Sequence, residues 1–458
     1  MQNVTVRDII AATGGTLMCG DENTVVENIS IDSRKIKGND IFIPFSGEKT
    51  DGHKFIDAAF KNGAAASFST RKDIDLCDKP IILVNNAMEA LQSLGAWYRK
   101  NRVKIPVVGI TGSVGKTSTR EIIAKALSSK FNVFSTKGNY NGQIGVPMTL
   151  CDIGSNDDIA VIEMGVSLNG EMSAISAVAC VDLAVVTNIG ICHIENFVTQ
   201  ENICAEKLKI TDNMPDGGTL ILNGDDKLLR NFKTERNINI IYYGTSDACR
   251  YRAENISVTA DGTDFDLIIG NSRHRVQLKV AGRHNVMNCL AAIAVCETVG
   301  ADIDGAVLQL QSYGGFARRM EKIKCGDYTV IDDAYNASPD SVRAAIDILS
   351  DMKTNGKKYI VLADMLELGE NEKVFHREIG EYLAKKDIDC AVFIGERSKY
   401  TAEGARIGSN MEIFEFDCNQ AAYNYLKSAL GNGDTVLFKG SHSMKLEEII
   451  DKLRQSEE

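Results

Sequence analysis

Short apolar runs recur along this chain from Pro106 onward, and helical stretches separate most of them. "PVVGI", "IAVIEMG", "LAVVTNIG", "GTLILNGDD" and "INIIYYG" are such runs. Apolar runs alternating with helices predict a mostly parallel sheet covered on both faces. "AENISV", "DFDLIIG" and "RHRVQLKV" alternate instead, and predict an antiparallel appendage to that sheet. "NVMNCLAAIAVCETVG" reads as a strong helix stopped by Gly300. A third block starts near Tyr328, where "YTVIDDAY", "YIVLADM", "CAVFIG", "EIFEF" and "TVLFKGS" alternate with helices. It predicts a second doubly wound unit, with "QSYGGFARR" as the hinge before it. The first eighty or so residues mix short helices and strands into a small α/β unit. A chain of 458 residues is long enough for several domains. The patterns divide it into 1–83, 84–314 and 315–458, with a cleft between the second and third. The fold class is therefore α/β in three domains, the central one mostly parallel and the last Rossmann-like.

Between "PVVGI" and the amphipathic "KTSTREIIAKALSSK" stands "GITGSVGKTSTR", Gly109 to Arg120. A phosphate loop is commonly spelled Gly, four residues, then Gly-Lys-Ser/Thr. Here Ile110 occupies the first-glycine position and the glycine falls one residue early. The strand–loop–helix context still fits. Glycines let the backbone approach phosphate oxygens, and a helix N-terminus adds amide donors. Gly112, Ser113, Val114, Gly115, Lys116, Thr117 and Ser118 form the candidate ATP segment, with Lys116 reaching the β/γ-phosphates and the Thr117 hydroxyl ligating Mg²⁺. The bland alternative is a ligand-free strand–helix turn.

A formal net charge of -11 argues against nonspecific nucleic-acid binding. Twelve cysteines without a Cys-x-x-Cys pair read as free thiols of a reducing cytosol. No signal-peptide pattern and no run near a membrane-span length is visible. A cytoplasmic enzyme with no membrane span is expected.

Ligands in open α/β sheets collect beyond the carboxyl ends of the strands. "VIEMG" puts Glu163 there, and "VVTNIGICHIENF" puts Asn188 and His193 just past another end. A carboxylate and an imidazole near a phosphate loop suit a divalent cation, although Glu163 also reads as a helix cap and His193 as an ordinary loop residue. Lys207 and Lys209 follow in "ENICAEKLKI", where a solvated helix face is the commoner reading. Asn285 and Asn288 open the helix of "GRHNVMNCLAA", as readers of a purine or ribose or as caps. Asp332 and Asp333 end a predicted strand downstream of Arg319. Arg suits developing phosphoryl charge and a carboxylate suits ribose or a cation, yet paired aspartates are often only turn formers.

These residues, in this order, resemble the Mur ligases, the ATP-dependent amide-forming enzymes of peptidoglycan precursor synthesis. "GITGSVGKTST" is similar to their glycine loop, early glycine included. "NYNGQIGVPMTL", "GRHNVMNCLAA", "DDAYNASPDSV", "VLADMLELGE" and "LFKGSHSMKLEEII" resemble the members that join D-alanyl-D-alanine to UDP-N-acetylmuramoyl-tripeptide. "IDSRKIKGNDIFIPFSGEKTDGHKFIDAA" resembles their uridine-nucleotide domain, so the likeness spans essentially the whole chain. It implies phosphorylation of the tripeptide carboxylate by ATP, attack of the D-Ala-D-Ala amine on the acyl phosphate, and release of phosphate. It implies that Lys116 holds phosphates, that Thr117 holds one of two Mg²⁺ ions, and that Glu163 and His193 ligate the other. Lys207 matches a carbamylated lysine that supports the magnesium. Asn285 and Asn288 match the adenosine side, and Arg319 and Asp333 complete the site from the third domain on closure. Asn139 and Asn141 match the segment facing the acyl substrate, Ser33, Arg34 and His53 the uridine side, and Asn336, Ser338 and Asp364 the incoming dipeptide. The expected catalytic set is Lys116, Lys207, His193 and Arg319, in a monomer.

Three positions depart from the pattern. Asn-Gly follows Tyr140 where Asn-Asn is commoner. Lys209 stands where an acidic residue is frequent, a second cation near Lys207. His442 stands where a basic or small residue is usual. The rival readings are another Mur ligase, a folylpolyglutamate synthetase, or a phosphate-loop switch protein that hydrolyses nucleotide without an amine acceptor.

Overall fold

The computed structural model describes residues 1–47, 50–74, 78–259 and 262–455. Three sheets carry the α/β architecture. The first, in the N-terminal unit, has five strands in the order Thr16–Cys19, Ile81–Leu83, Ala66–Ser69, Asp40–Phe42, Asn28–Ser30. All its pairings are parallel except that of the edge strand Thr16–Cys19. Helix Val6–Thr13 starts at a Thr5/Asp8 capping box and stops at left-handed Gly14.

The central sheet has nine strands. Val133–Ser135, Ile159–Glu163, Val107–Thr111, Leu183–Val186, Thr219–Asn223, Asn239–Gly244 and Tyr251–Thr259 run parallel, in that spatial order. Gly262–Ile269 and Ser272–Leu278 continue it antiparallel, as the alternating patterns predict. Every residue of Val107–Thr111 is buried, because helices cover both faces. Helix Arg283–Thr298 is apolar nearly all round and packs on the phosphate-loop helix Lys116–Leu127 in one core.

The opposite face of the central sheet shares its core with the N-terminal unit. Helix Ala87–Asn101 joins them, packing on Val6–Thr13 and on Gly145–Cys151 and Glu171–Ala179. At Gly95 a Cβ would stand 2.7 Å from Pro147 Cβ, so this helix contact requires glycine.

The third sheet has six strands, ordered Glu321–Cys325, Tyr328–Asp332, Thr435–Lys439, Lys358–Ala363, Cys390–Ile394, Glu412–Phe416. Only Glu321–Cys325 is antiparallel. That edge strand, strand Val133–Ser135 and helix Gly145–Cys151 are additions to the sequence pattern. Glu321–Cys325 carries three charged residues in five and is half wet, so it lacks the apolar run that marks the buried strands. The last strand, Thr435–Lys439, inserts between the first two parallel ones in chain order, and the crevice opens at that switch point. Among the described residues the cysteines are free thiols, and no helix is long and apolar enough to cross a membrane.

Candidate active site

Three adjacent parallel strands deliver the site. Val107–Thr111 leads into the phosphate loop, Ile159–Glu163 ends on Glu163, and Leu183–Val186 leads to Asn188 and His193. The loop is stapled to its neighbour. Ser113 N donates to Asn188 O (2.9 Å), Val114 N to Asn188 Oδ1 (2.9 Å), and Asn188 Nδ2 to Val114 O (2.9 Å). Thr187 Oγ1 donates to Val114 O at 2.7 Å. Gly112 has φ +149°, and a Cβ there would lie 1.9 Å from Thr187 Oγ1, so no other residue fits. Helix Lys116–Leu127 has no side-chain cap, which leaves its first amides open to an anion. Lys116 Nζ folds back to Gly112 O (2.7 Å) and Ser113 O (3.3 Å).

Glu163 is buried, and side chains of two candidate residues converge on it. Thr117 Oγ1 donates to its Oε2 at 3.0 Å, and Asn141 Nδ2 to its Oε1 at 2.8 Å. Asn141 also donates to Asn139 Oδ1 at 3.0 Å, so the two asparagines of this segment are held together. Thr117 Oγ1 and Glu163 Oε2 stand 3.0 Å apart beside the phosphate loop, where the resemblance implies Mg²⁺. Hydroxyl and carboxylate are hard oxygen donors, so they fit that ion. Among the described residues no group of three or more His, Cys, Asp or Glu is placed to hold a metal ion.

His193 has a left-handed backbone (φ 58°). Its Nδ1 lies 2.7 Å from Glu367 Oε2 of the third sheet's unit, in a charge contact off the line of a hydrogen bond. Burial pushes its pKa down, Glu367 opposes that, and Lys116 and Lys207 add to the lowering. The structure thus joins His193 to Glu367 rather than to Glu163.

Lys207 is 2% exposed, on helix Gln200–Leu208, and no hydrogen bond or ion pair holds it among the described residues. Burial first, then the Lys116 charge, pushes its pKa down to about 7. A solvated helix face is excluded. Lys209 is instead tied to buried Glu206, Nζ to Oε2 2.7 Å, and is not among the charges that shift Lys207. The expected second cation is neutralised.

The loop from His193 to helix Gln200–Leu208 is strained. Val198 is 75% exposed with φ 70° and ψ -44°, and Thr199 N bonds Phe197 O across it at 2.8 Å, a γ-turn. A β-branched residue pays for that conformation. Val198→Gly is expected to raise stability by about 1 kcal/mol, read as a higher melting temperature. A lower one would mean the strain is absent.

A cavity of about 810 Å³ lies between the central and third sheets, lined among others by Gly115, Ser118, Asn285, Asn288, Arg319 and Asp333. Asn288 Oδ1 accepts from Thr119 Oγ1 at 2.8 Å, and Asn285 Nδ2 donates to Ala281 O at 2.9 Å. Both amides therefore also tie helices locally. Asp333 pairs with buried Lys439 at 2.6 Å.

A second cavity, about 1000 Å³, lies between the N-terminal unit and residues Phe134–Asp152 of the central unit. Ser33 and Arg34 line it. His53 does not. Its Nδ1 is 2.8 Å from Asp51 Oδ1 and its Nε2 accepts from Thr70 N at 3.0 Å, so both ring nitrogens are occupied inside the N-terminal unit. On the third unit, Asn336 is exposed, Ser338 caps helix Pro339–Asp351, and Asp364 accepts from the Arg397 and Ser398 amides at 3.0 and 2.8 Å. Ser338 and Asp364 thus have local structural partners.

Sequence reasoning passed over Arg120, Lys439 and Glu367. Arg120 is buried, 3.4 Å from Glu163 Oε2 and paired with Glu121 at 2.5 Å. Its spacing, four after Lys116 on one helix face, was the available signal.

Sheet order and loop define the class, a three-unit α/β phosphate-loop enzyme whose nucleotide cleft is shared by two of its units. Family models match in the same order: Mur ligase family, catalytic domain over 25–99, Mur ligase middle domain over 110–296, and Mur ligase, glutamate ligase domain over 318–442. The chain belongs to the Mur ligase family. It is 36% identical over 99% of its length to the UDP-N-acetylmuramoyl-tripeptide–D-alanyl-D-alanine ligase of Bacillus subtilis, covering 98% of that protein. Crystal structure I of MurF from Acinetobacter baumannii superposes with a TM-score of 0.89 at 28% identity, 98% of each chain covered. The MurF ligase of Thermotoga maritima in complex with ADP does so with 0.84 at 28% identity, over 95% of this chain and 99% of that one.

Proposed function

We propose that this protein joins D-alanyl-D-alanine to UDP-N-acetylmuramoyl-tripeptide, using ATP with Mg²⁺, to form the pentapeptide precursor of peptidoglycan. The observation that carries it is full-length likeness to proteins of that name, over a chain whose phosphate loop opens into a cleft between the central and third sheets. The domains are read as 1–83 for the UDP substrate, 84–314 for ATP and 315–458 for the incoming amine. The protein is read as a cytoplasmic monomer.

A carboxylate is a poor acyl donor until one oxygen becomes a leaving group. ATP lies in the 810 Å³ cleft with its phosphates on the loop amides, and Lys116 leaves its own loop carbonyls to meet them. The tripeptide carboxylate enters past Asn139 and Asn141. Its oxygen bonds to the γ-phosphorus, the bond to the β-phosphate oxygen breaks, and ADP forms. Arg319 faces the phosphoryl group as charge develops on it. The dipeptide amine then attacks the acyl carbon, a tetrahedral intermediate collapses, phosphate leaves and the nitrogen loses its proton. Two Mg²⁺ ions, when bound, would be held by Thr117 and by Glu163 with His193, and would offset the charge crowding between ATP and the carboxylate.

Lys207 is read as the carbamylated lysine. CO₂ adds only to the neutral amine, and a pKa of about 7 leaves about half the amine neutral at pH 7. The product is an anion where a buried, unpartnered cation stood.

The test supplies ATP, UDP-tripeptide and candidate amines, and follows phosphate release. Turnover with D-Ala-D-Ala is expected. Turnover with D-glutamate or a diamino acid instead points to another Mur ligase, and nucleotide hydrolysis without an amine to a switch protein. Running lysine and meso-diaminopimelate tripeptides side by side identifies the third peptide residue.

A further inference from the structure

Arg319 lines the cleft and is held by an aromatic ring. Its guanidinium lies 4.1 Å from the centroid of the Tyr335 ring. Its Nε is buried and meets no hydrogen-bond acceptor among the described residues. Asp333, the carboxylate whose charge it feels most, is already paired with Lys439 at 2.6 Å. The backbone around it is tightly turned, with Arg318 and Met320 both left-handed (φ 60° and 54°) and Arg319 N bonded to Phe316 O at 3.1 Å. His442, the residue that departs from the family pattern, stacks on the same Tyr335 ring, 6.0 Å between centroids and 29° between planes.

We propose that Tyr335 is a positioning residue that holds Arg319 toward the nucleotide cleft through its π face, with His442 buttressing the ring. The proposal rests on the ligase reading above. A carboxylate partner would consume guanidinium N–H donors and neutralise their charge. An aromatic face orients the flat cation by stacking and leaves its N–H edge and its charge for the γ-phosphoryl group. Arg319, Tyr335 and His442 all belong to the third unit, so the group is assembled before that unit meets ATP.

The experiment is a double-mutant cycle on the full-length enzyme, with kcat and KM for each substrate, and calorimetry with ADP and a nonhydrolysable ATP analogue. Tyr335→Phe keeps the ring and is expected to stay within about twofold of wild type. Tyr335→Leu is expected to lower kcat about tenfold, to weaken the ATP analogue, and to leave ADP affinity unchanged. In an Arg319→Ala background it is expected to cost nothing further, because the ring acts through the arginine. Should the leucine variant fail to fold, Tyr335→Met fills similar space without a π face and takes its place. Equal losses in both backgrounds, or wild-type kcat in Tyr335→Leu, overturn the proposal. Absence of turnover in the wild type defeats the ligase reading instead.

Discussion

Lys207→Met abolishes turnover and stabilises the protein at the same time. The loss expected in kcat is ~10²–10³-fold, the scale on which removal of a preorganised charged group acts. Wild-type enzyme stripped of CO₂ regains rate on adding bicarbonate, and the variant does not, because it has no amine to carbamylate. The stability gain follows from burial. The lysine is buried without a partner, and its pKa falls from 10.5 to about 7. Below about pH 7 both folded and unfolded chains carry the proton, so the full burial penalty applies. Between about 7 and 10.5 the unfolded chain binds more protons than the folded one, and wild-type stability climbs with pH. The melting-temperature advantage of Lys207→Met in CO₂-free buffer is therefore greatest at and below pH 7 and fades toward pH 10.5. Near-normal turnover, or a variant that melts lower at pH 7, contradicts this account.

Lys116→Met removes the phosphate-loop cation and is expected to lower kcat/KM for ATP by about 10³-fold. The side chain points at its own loop carbonyls, and the loop is held independently by Asn188 and Thr187. The fold should therefore survive. Ser33 and Arg34 line a separate cavity, so affinity for the UDP-tripeptide, measured by calorimetry, is expected to stay within about twofold of wild type, a change well under 1 kcal/mol. A comparable loss of UDP-tripeptide binding would show that the two cavities are not independent, and an unaffected kcat/KM would take Lys116 out of the reaction.

Much of this architecture was legible in order along the chain. The parallel runs, the antiparallel appendage, the glycine loop and the third doubly wound unit all follow from periodicity and punctuation. The edge strand Glu321–Cys325 did not, because an exposed strand carries no apolar run to announce it. At His53 residue type does not reveal that both ring nitrogens have local partners in Asp51 and Thr70. At Ser338 a plausible dipeptide contact coincides with a helix cap.

The sequence by itself determined the strand–loop–helix at Gly109–Arg120 and the succession of three α/β units. These depend on interactions between neighbours a few residues apart, which spacing records. Only the tertiary structure decided that Lys207 is buried and unpaired, that His193 meets Glu367, that Arg120 stands beside Glu163, and that Arg319 lies on Tyr335. Burial and electrostatic field are sums over groups far apart in the chain, and no local pattern contains those sums.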